Sequence, residues 1–476
     1  MTAPAPITVR RYSRWLLYAL AACAVVMGLT VATLRILLVQ VPGYRADIQR
    51  WAGEATGYDI RFREVTASWP LSGPELRFTG VELARPGEVE PVISAREFSA
   101  GLSLWQLLRD WRPALGHVAA SGVDLAVERT AANEYLVQGR TLDELLPRRT
   151  SAERPEFDLE LEDITVRFLD RSRLPEPLTI RLVRLDADIG RDELTATVEI
   201  APPREYARAL RVEVSGDLPL PEPMALPARL DLRVEGQGVS LHRVIRYGWG
   251  RSGELETATG NVAVRLEVAK GKVQVAGGAV DLRDVGIETG VGVTGYQQVT
   301  GRLEWTRSSS GWDAVLSDLR LRRQGRAAPL TSAELRYAAP TDNSPARWAG
   351  SSRFLRLDDV YPLLRAAALS IDRGAGLPRT AGGDVRDVEA TFVPQQGARY
   401  ELRGRFNRLG VTLESGEVAF SGLSGSVAAD ADGGRLQLDS REAQLTLAQF
   451  FRETLGADRL RGSICVWRAR ASACIG

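Results

Sequence analysis

Apolar and polar residues trade places at every step along much of this chain. A period of two suits an extended strand with one sheltered and one wetted face, and no helix satisfies it. Tyr58, Ile60 and Phe62 alternate with Asp59, Arg61 and Arg63, and Phe157, Leu159 and Leu161 with Asp158, Glu160 and Glu162. Leu194, Ala196, Val198 and Ile200 interleave with Thr195, Thr197 and Glu199. Leu230, Leu232 and Val234 interleave with Asp231, Arg233 and Glu235, and Val262, Val264, Leu266 and Val268 with Ala263, Arg265 and Glu267. Turn formers interrupt these runs at short spacing, as at Gly216-Asp217, Gly271, Gly277-Gly278 and Asp432-Gly433-Gly434. Parallel strands need a crossover helix between them, and the intervals leave no room for one. The expected fold is therefore mostly β, an antiparallel meander.

A few short helices punctuate it. Tyr44, Ile48, Trp51 and Ala55 share a helical face, and helical patches recur at Ser103–Asp110, Thr141–Leu146, Ser240–Tyr247, Asp358–Ala368 and Leu445–Leu455. Ser240 and Asp358 stand where N-caps belong. A weak repeat, Gly80-Val-Glu-Leu83, Gly122-Val-Asp-Leu125 and Gly286-Ile-Glu288, reads as a strand-start signal without a fixed period.

The N-terminus departs from this pattern. Trp15–Leu34 (WLLYALAACAVVMGLTVATL) is unbroken apolar and small sequence, and about 20 such residues span a bilayer as a helix. Its apolar contacts with lipid would come from Trp15, Leu16, Leu17, Leu20, Val25, Val26, Leu29 and Leu34. Arg10, Arg11 and Arg14 precede it, so the positive-inside rule leaves the N-terminus cytoplasmic and translocates the rest. The run is longer than a signal-peptide core, and Arg35–Pro42 offers no small-x-small cleavage site, so the expectation is an uncleaved single-pass anchor.

Charge and cysteine content exclude several classes. Lys+Arg number 61 against Asp+Glu 60, so no basic surplus exists to neutralise nucleic acid. Cysteines occur only at 23, 465 and 474, so the body carries neither a disulfide framework nor a thiolate metal site. Gly290-Val-Gly-Val-Thr-Gly295 matches a dinucleotide-binding spacing, but the strand-like Tyr296–Trp305 follows where a helix is required. A hairpin connection is the better reading. Asp186 and Asp188 face one side of a strand without further carboxylates to complete a cation shell. His117 and His242 lack a partnered nucleophile, and Gly422-Leu-Ser-Gly-Ser426 lacks the last glycine of a nucleophile elbow. Neither an enzyme nor a cofactor or metal site is expected. Trp69, Trp105, Trp111, Trp249, Trp305, Trp312 and Trp348 show no stacking-platform spacing and read as packing residues.

Several stretches together resemble a known family. They are the apolar run leading into Pro42–Leu83 (PGYRADIQRWAGEATGYDIRFREVTASWPLSGPELRFTGVEL), Ser103–Pro113 (SLWQLLRDWRP), Val118–Arg129 (VAASGVDLAVER) and Phe420–Ser440 (FSGLSGSVAADADGGRLQLDS). The pattern, over nearly all of residues 10–461, resembles the large AsmA-like envelope proteins, most of all the YhdP type. That resemblance implies an elongated, curved antiparallel sheet forming a repetitive groove, apolar inside and polar outside. It implies transport of phospholipid between inner and outer membrane and maintenance of the outer-membrane barrier, with no catalytic residue. Partners would then be phospholipid, the inner membrane, and outer-membrane or periplasmic proteins.

The implied organisation is a cytoplasmic segment 1–14, a transmembrane helix 15–39, an N-terminal β region 40–150 and a groove region 151–461. Residues 462–476 abandon the alternation and read as a frameshifted or truncated tail. Proteins of this type are much longer, so an N-terminal fragment is expected. Groove-lining candidates are Val198, Leu230, Leu232, Val234, Val262, Val264, Leu266 and Val268. The same alternation also describes a β-sandwich with a dry core, which would suit a non-catalytic assembly or scaffold protein binding partners through its sheets.

Overall fold

The computed structural model describes residue 25 and residues 45–56, 58–69, 73–88, 91–103, 109, 115–130, 134–141, 156–171, 176–218, 227–249, 255–289, 292–341, 344–370, 377–394, 399–467 and 470–473. The chain forms two compact units, Met1–Arg191 and Asp192–Gly476. The predicted anchor lies outside the described residues except for Val25, and among the described residues no helix is long and apolar enough to cross a membrane.

In the first unit α1 (Arg45–Thr56) precedes β1 (Asp59–Arg61), β2 (Glu64–Ser68), β3 (Glu75–Ala84), β4 (Ile93–Leu102), β5 (Leu115–Arg129), β6 (Tyr135–Val137), β7 (Arg140–Thr141), β8 (Phe157–Asp170) and β9 (Leu178–Ile189). β1 and β2 both pair with β3, and β3, β4 and β5 continue antiparallel. The β5–β8 pairing is parallel, a departure from the expected meander, with β8 starting beside the end where β5 begins. α1 seats Ile48 on a small core of Phe62, Val65 and Val81, and the Arg45 guanidinium lies 5.7 Å from the Phe62 ring centre.

The second unit holds β10 (Glu193–Ala201), β11 (Ala209–Asp217), β12 (Arg229–Ser240), α2 (Leu241–Trp249), β13 (Leu255–Ala269), β14 (Lys272–Thr289), β15 (Gly292–Ser308), β16 (Gly311–Arg323), β17 (Arg326–Ala327), β18 (Thr331–Ala338), β19 (Arg347–Arg356), α3 (Leu357–Ser370), β20 (Thr380–Val393), β21 (Arg399–Thr412), β22 (Val418–Asp430), β23 (Gly433–Leu447), β24 (Leu455–Trp467) and β25 (Arg470–Ala473). Every pairing within it is antiparallel and joins chain neighbours, with β17 a short return that lets β18 take β16.

The glycine repeat marks something other than strand starts. Gly80 and Gly122 sit in mid-strand with φ of 61° and 63°, where an L side chain is strained. The same left-handed conformation recurs at Asp163, Gly238, Asp284, Asp318, Asp387, Arg408, Gly422 and Glu442. At Gly238, Asp318, Asp387, Arg408, Gly422 and Glu442 the ladder slips register, the sign of a β-bulge. The third copy read from the sequence therefore belongs two residues earlier, at Asp284-Val-Gly-Ile287. Each bulge adds twist and bends its strand, and their recurrence puts a crease across the strands of the second unit.

Both helices of the second unit lie beyond that crease, at the same strand ends. Ser240 immediately precedes α2 as expected of a cap, whereas Asp358 lies inside α3 and uses Oδ2 to accept from the Gly383 N–H of β20 at 2.8 Å. The Asp358 carbonyl accepts from Arg323 of β16, and the Asp359 carbonyl from the Tyr296 hydroxyl of β15 at 2.7 Å. In a flat sheet β15 and β20 would be about 19 Å apart, four steps of roughly 4.8 Å. These contacts tie α3 to both β15 and β20, four strand steps apart, across the face of a curved sheet.

Two further expectations change. Leu445–Leu455 is no helix: Leu445 near the end of β23 stands opposite Leu455, which opens β24, and a hydrogen-bonded turn at Leu447–Phe451 lies between the two strands. The pairing of these leucines and the contact between the Thr446 and Thr454 hydroxyls at 3.0 Å favour a hairpin. Strand pairing also runs into the tail, where β24 places Ile464 opposite Leu436. Thr141 lies in β7, and the rest of Thr141–Leu146, like most of Ser103–Asp110, lies outside the described residues.

Candidate functional site

Register sorts the second unit into two unlike faces. Directly opposed residues share a face, so a row can be followed from strand to strand. It runs Val198, Val212, Val234, Val264, Gly278, Leu303, Leu316 and Ala333. Beyond Ser352 and Val388 it resumes at Gly404, Val427, Leu436 and Ile464. The flanking rows are similar, with Leu232 opposite Leu266 and Leu230 opposite Val268. All eight groove candidates therefore lie on one face, with Val262 opposite Gly236.

The opposite face is charged. Arg211 sits between Glu199 at 3.1 Å and Glu213 at 3.0 Å, and Arg403 meets Glu401 at 2.7 Å. Arg265 pairs with Glu267, and Arg336 with Asp313. Exposed pairs of this kind add little stability, but they commit this face to water. The first unit repeats the division. Leu161, Leu185, Ala120, Phe98 and Phe78 share one face, and Arg184 gathers Glu160, Glu162 and Asp186 on the other. The Asp186 hydrogen bond and the surrounding carboxylates raise the Arg184 pKa, while Arg181 and then Arg96 hold Asp163 below the usual carboxylate range.

Among the described residues, α2 and α3 cover one end of the apolar face. Beyond the crease Ala258, Leu282, Val285, Ile287, Tyr296, Val299, Leu319 and Leu321 form a buried core with Val360 of α3, and Leu241 of α2 packs against it. Arg365 of α3 donates to the Pro378 carbonyl at 2.7 Å and pairs with Glu414 at 3.0 Å, fastening the helix to the next strands. Burial raises Asp359 and the Tyr296 phenol, whereas Arg365 lowers Glu414. On the other side of the crease the face is more open, with several of its apolar side chains half-buried and some exposed. Val264 is 45% exposed, Leu303 53% and Ile464 50%, although all three belong to the apolar row. Val268, in contrast, is buried.

The remaining sequence candidates do not converge on this surface. Asp186 serves Arg184, and His117 Nε2 stands 3.9 Å from Glu160 in the first unit. His242 lies in α2 with Nδ1 buried and unpartnered among the described residues. Of the glycine-rich run, Gly292–Gly295 open β15, with Gly292 opposite Thr289 of β14. Sequence reasoning missed Leu303, Leu316, Leu335, Leu402 and Ile464. Hairpin symmetry would have found them, since residues equidistant from a turn face each other. It also scattered tryptophans that the fold gathers: Trp312, Tyr337 and Trp348 are cross-strand neighbours with ring centres 4.7 to 5.8 Å apart.

The family model described as YhdP protein matches residues 1–473. No curated protein and no solved structure matches the chain.

Proposed function

The chain belongs to the YhdP family, and from that premise we propose that it holds phospholipid acyl chains on its open apolar face and takes part in lipid transport across the cell envelope. The observation that carries this reading is the exposed row of Val264, Leu303 and Ile464 on a sheet whose other face is lined with ion pairs. Contiguous apolar surface of that extent needs a cover. Acyl chains supply one at about 0.8 kcal/mol per buried methylene without any specific headgroup contact. A face built from similar rows, strand after strand, offers neighbouring sites of nearly equal depth. A lipid could pass among them with its headgroup in water. The Trp15–Leu34 segment would anchor the chain in the inner membrane, with the N-terminus cytoplasmic and the β body periplasmic.

A photoreactive residue at Val264, and separately at Arg265 on the charged face, tests this in cells. Mass spectrometry should find covalent phospholipid at Val264 and none at Arg265. Absence of adducts at Val264, Leu232 and Val198 alike would refute the lipid reading and leave a face that binds protein.

A further inference from the structure

One end of the open face differs chemically from the rest. Trp312, Tyr337 and Trp348 continue through direct cross-strand partners to Phe392 on β20 and Tyr400 on β21. This row lies on the apolar face, at the strand ends opposite α2 and α3. Arg307 of β15 faces Trp312 from the next strand, on the same side of the sheet. Arg307 is exposed and makes no ion pair among the described residues. Asp313 points to the charged face, where Arg336 holds it. Along β16 the row and the helix-covered core are separated by about 20 Å of strand, from Trp312 to Leu319 at roughly 3.3 Å per residue less the bulge. Ala314 and Leu316 fill the apolar side of that interval.

Indole and phenol rings pair an apolar body with one polar group, and they settle where an apolar phase meets water. A guanidinium matches a phosphate with two parallel hydrogen bonds. On a face closed by helices at one end and rimmed by such rings at the other, an amphiphile has one favourable orientation. We infer that Trp312, Tyr337, Trp348 and Arg307 form a headgroup-registration site for a glycerophospholipid. The phosphodiester meets Arg307, the glycerol esters lie level with the aromatic row, and the tails run along the strands toward α3. The inference rests on the lipid reading above and adds to it a direction and a charged contact.

The test uses the full chain with p-benzoylphenylalanine at Leu335, in mid-face, or at Tyr337, in the row. The probes are vesicles of phosphatidylcholine doped with phosphatidylglycerol or with diacylglycerol, which has the same tails and no phosphate. Fragmentation of the adducts should place Tyr337 attachments on the first few acyl carbons and Leu335 attachments farther down the chain. R307Q should lower phosphatidylglycerol capture at Leu335 about tenfold and leave diacylglycerol capture unchanged, a charge-assisted bond being worth roughly 1.5–3 kcal/mol. Capture at both positions with the same carbon distribution would overturn the registration while leaving the lipid reading intact. So would an R307Q effect equal for both lipids, or absent from both. No capture at either position would remove both readings.

Discussion

Truncating one leucine on each side of the crease separates an open face from a packed one. Leu282 lies in the core beneath α3 and is 5% exposed, whereas Leu303 is on the same face and 53% exposed. A leucine that loses its packing deep in a core costs about 2–5 kcal/mol, because a cavity adds to the lost transfer energy. Full burial of a leucine contributes roughly 1.5–3 kcal/mol, and about half of that is unrealised at Leu303, so its truncation should cost about 0.8–1.5 kcal/mol. No cavity forms where water already stands. Leu282→Ala should therefore destabilise the chain by about 2 kcal/mol more than Leu303→Ala in urea unfolding followed by tryptophan fluorescence. Leu303→Asp should resemble Leu303→Ala, since its carboxylate would be solvated. Equal losses for Leu282→Ala and Leu303→Ala would refute the reasoning, because Leu303 would then be packed against protein.

Three further outcomes follow from the cap and the crease. Asp318→Val should cost about 1–2 kcal/mol and Asp318→Gly close to nothing, because the residue holds φ at 56°; denaturant midpoints of the two variants check this. Tyr296→Phe should lower stability by about 0.5–1.5 kcal/mol, the worth of the hydrogen bond to the Asp359 carbonyl, and calorimetry would show the loss. Burial raises the Asp359 pKa, so the folded chain holds a proton that the unfolded chain has released. Its contribution is favourable at low pH and is lost as pH rises from the ordinary aspartate range through the folded value. Asp359→Asn should remove that slope from stability measured between pH 3 and pH 7, whereas Glu414, held low by Arg365, contributes the opposite slope.

Much of this was legible in the residues. Alternation alone identified the strands and the face of Val262, Val264, Leu266 and Val268, because a side-chain period of two leaves little choice once one face is apolar. The two helices around Leu241 and Leu357 were also readable from their patterning. The crease was not, because its left-handed positions are filled by Asp284, Asp318, Arg408 and Glu442 as well as by glycines. Aspartate tolerates that conformation by local hydrogen bonding, so no single residue type marks it. The aromatic row was hidden for another reason. Trp312 and Tyr337 are far apart in sequence yet equidistant from the Gln324-Gly325 turn, and composition carries no register. Exposure was the least legible property of all. Leu282 and Leu303 read alike along their strands, and only the placement of α3 distinguishes them.

The neighbour-only pairing of the second unit also bears on how the chain acquires its structure. Each strand from β10 onward finds its partner within the preceding hairpin or across one short helix, so the loops to be closed are small despite the all-β architecture. Rates of folding follow the sequence distance between partners more closely than strand content. Such a chain can zip from one end, each new strand docking on the last, and an interruption stalls growth without undoing what has formed. Its cooperativity is that of a linear array, in which a local lesion is felt by adjacent strands and fades with distance.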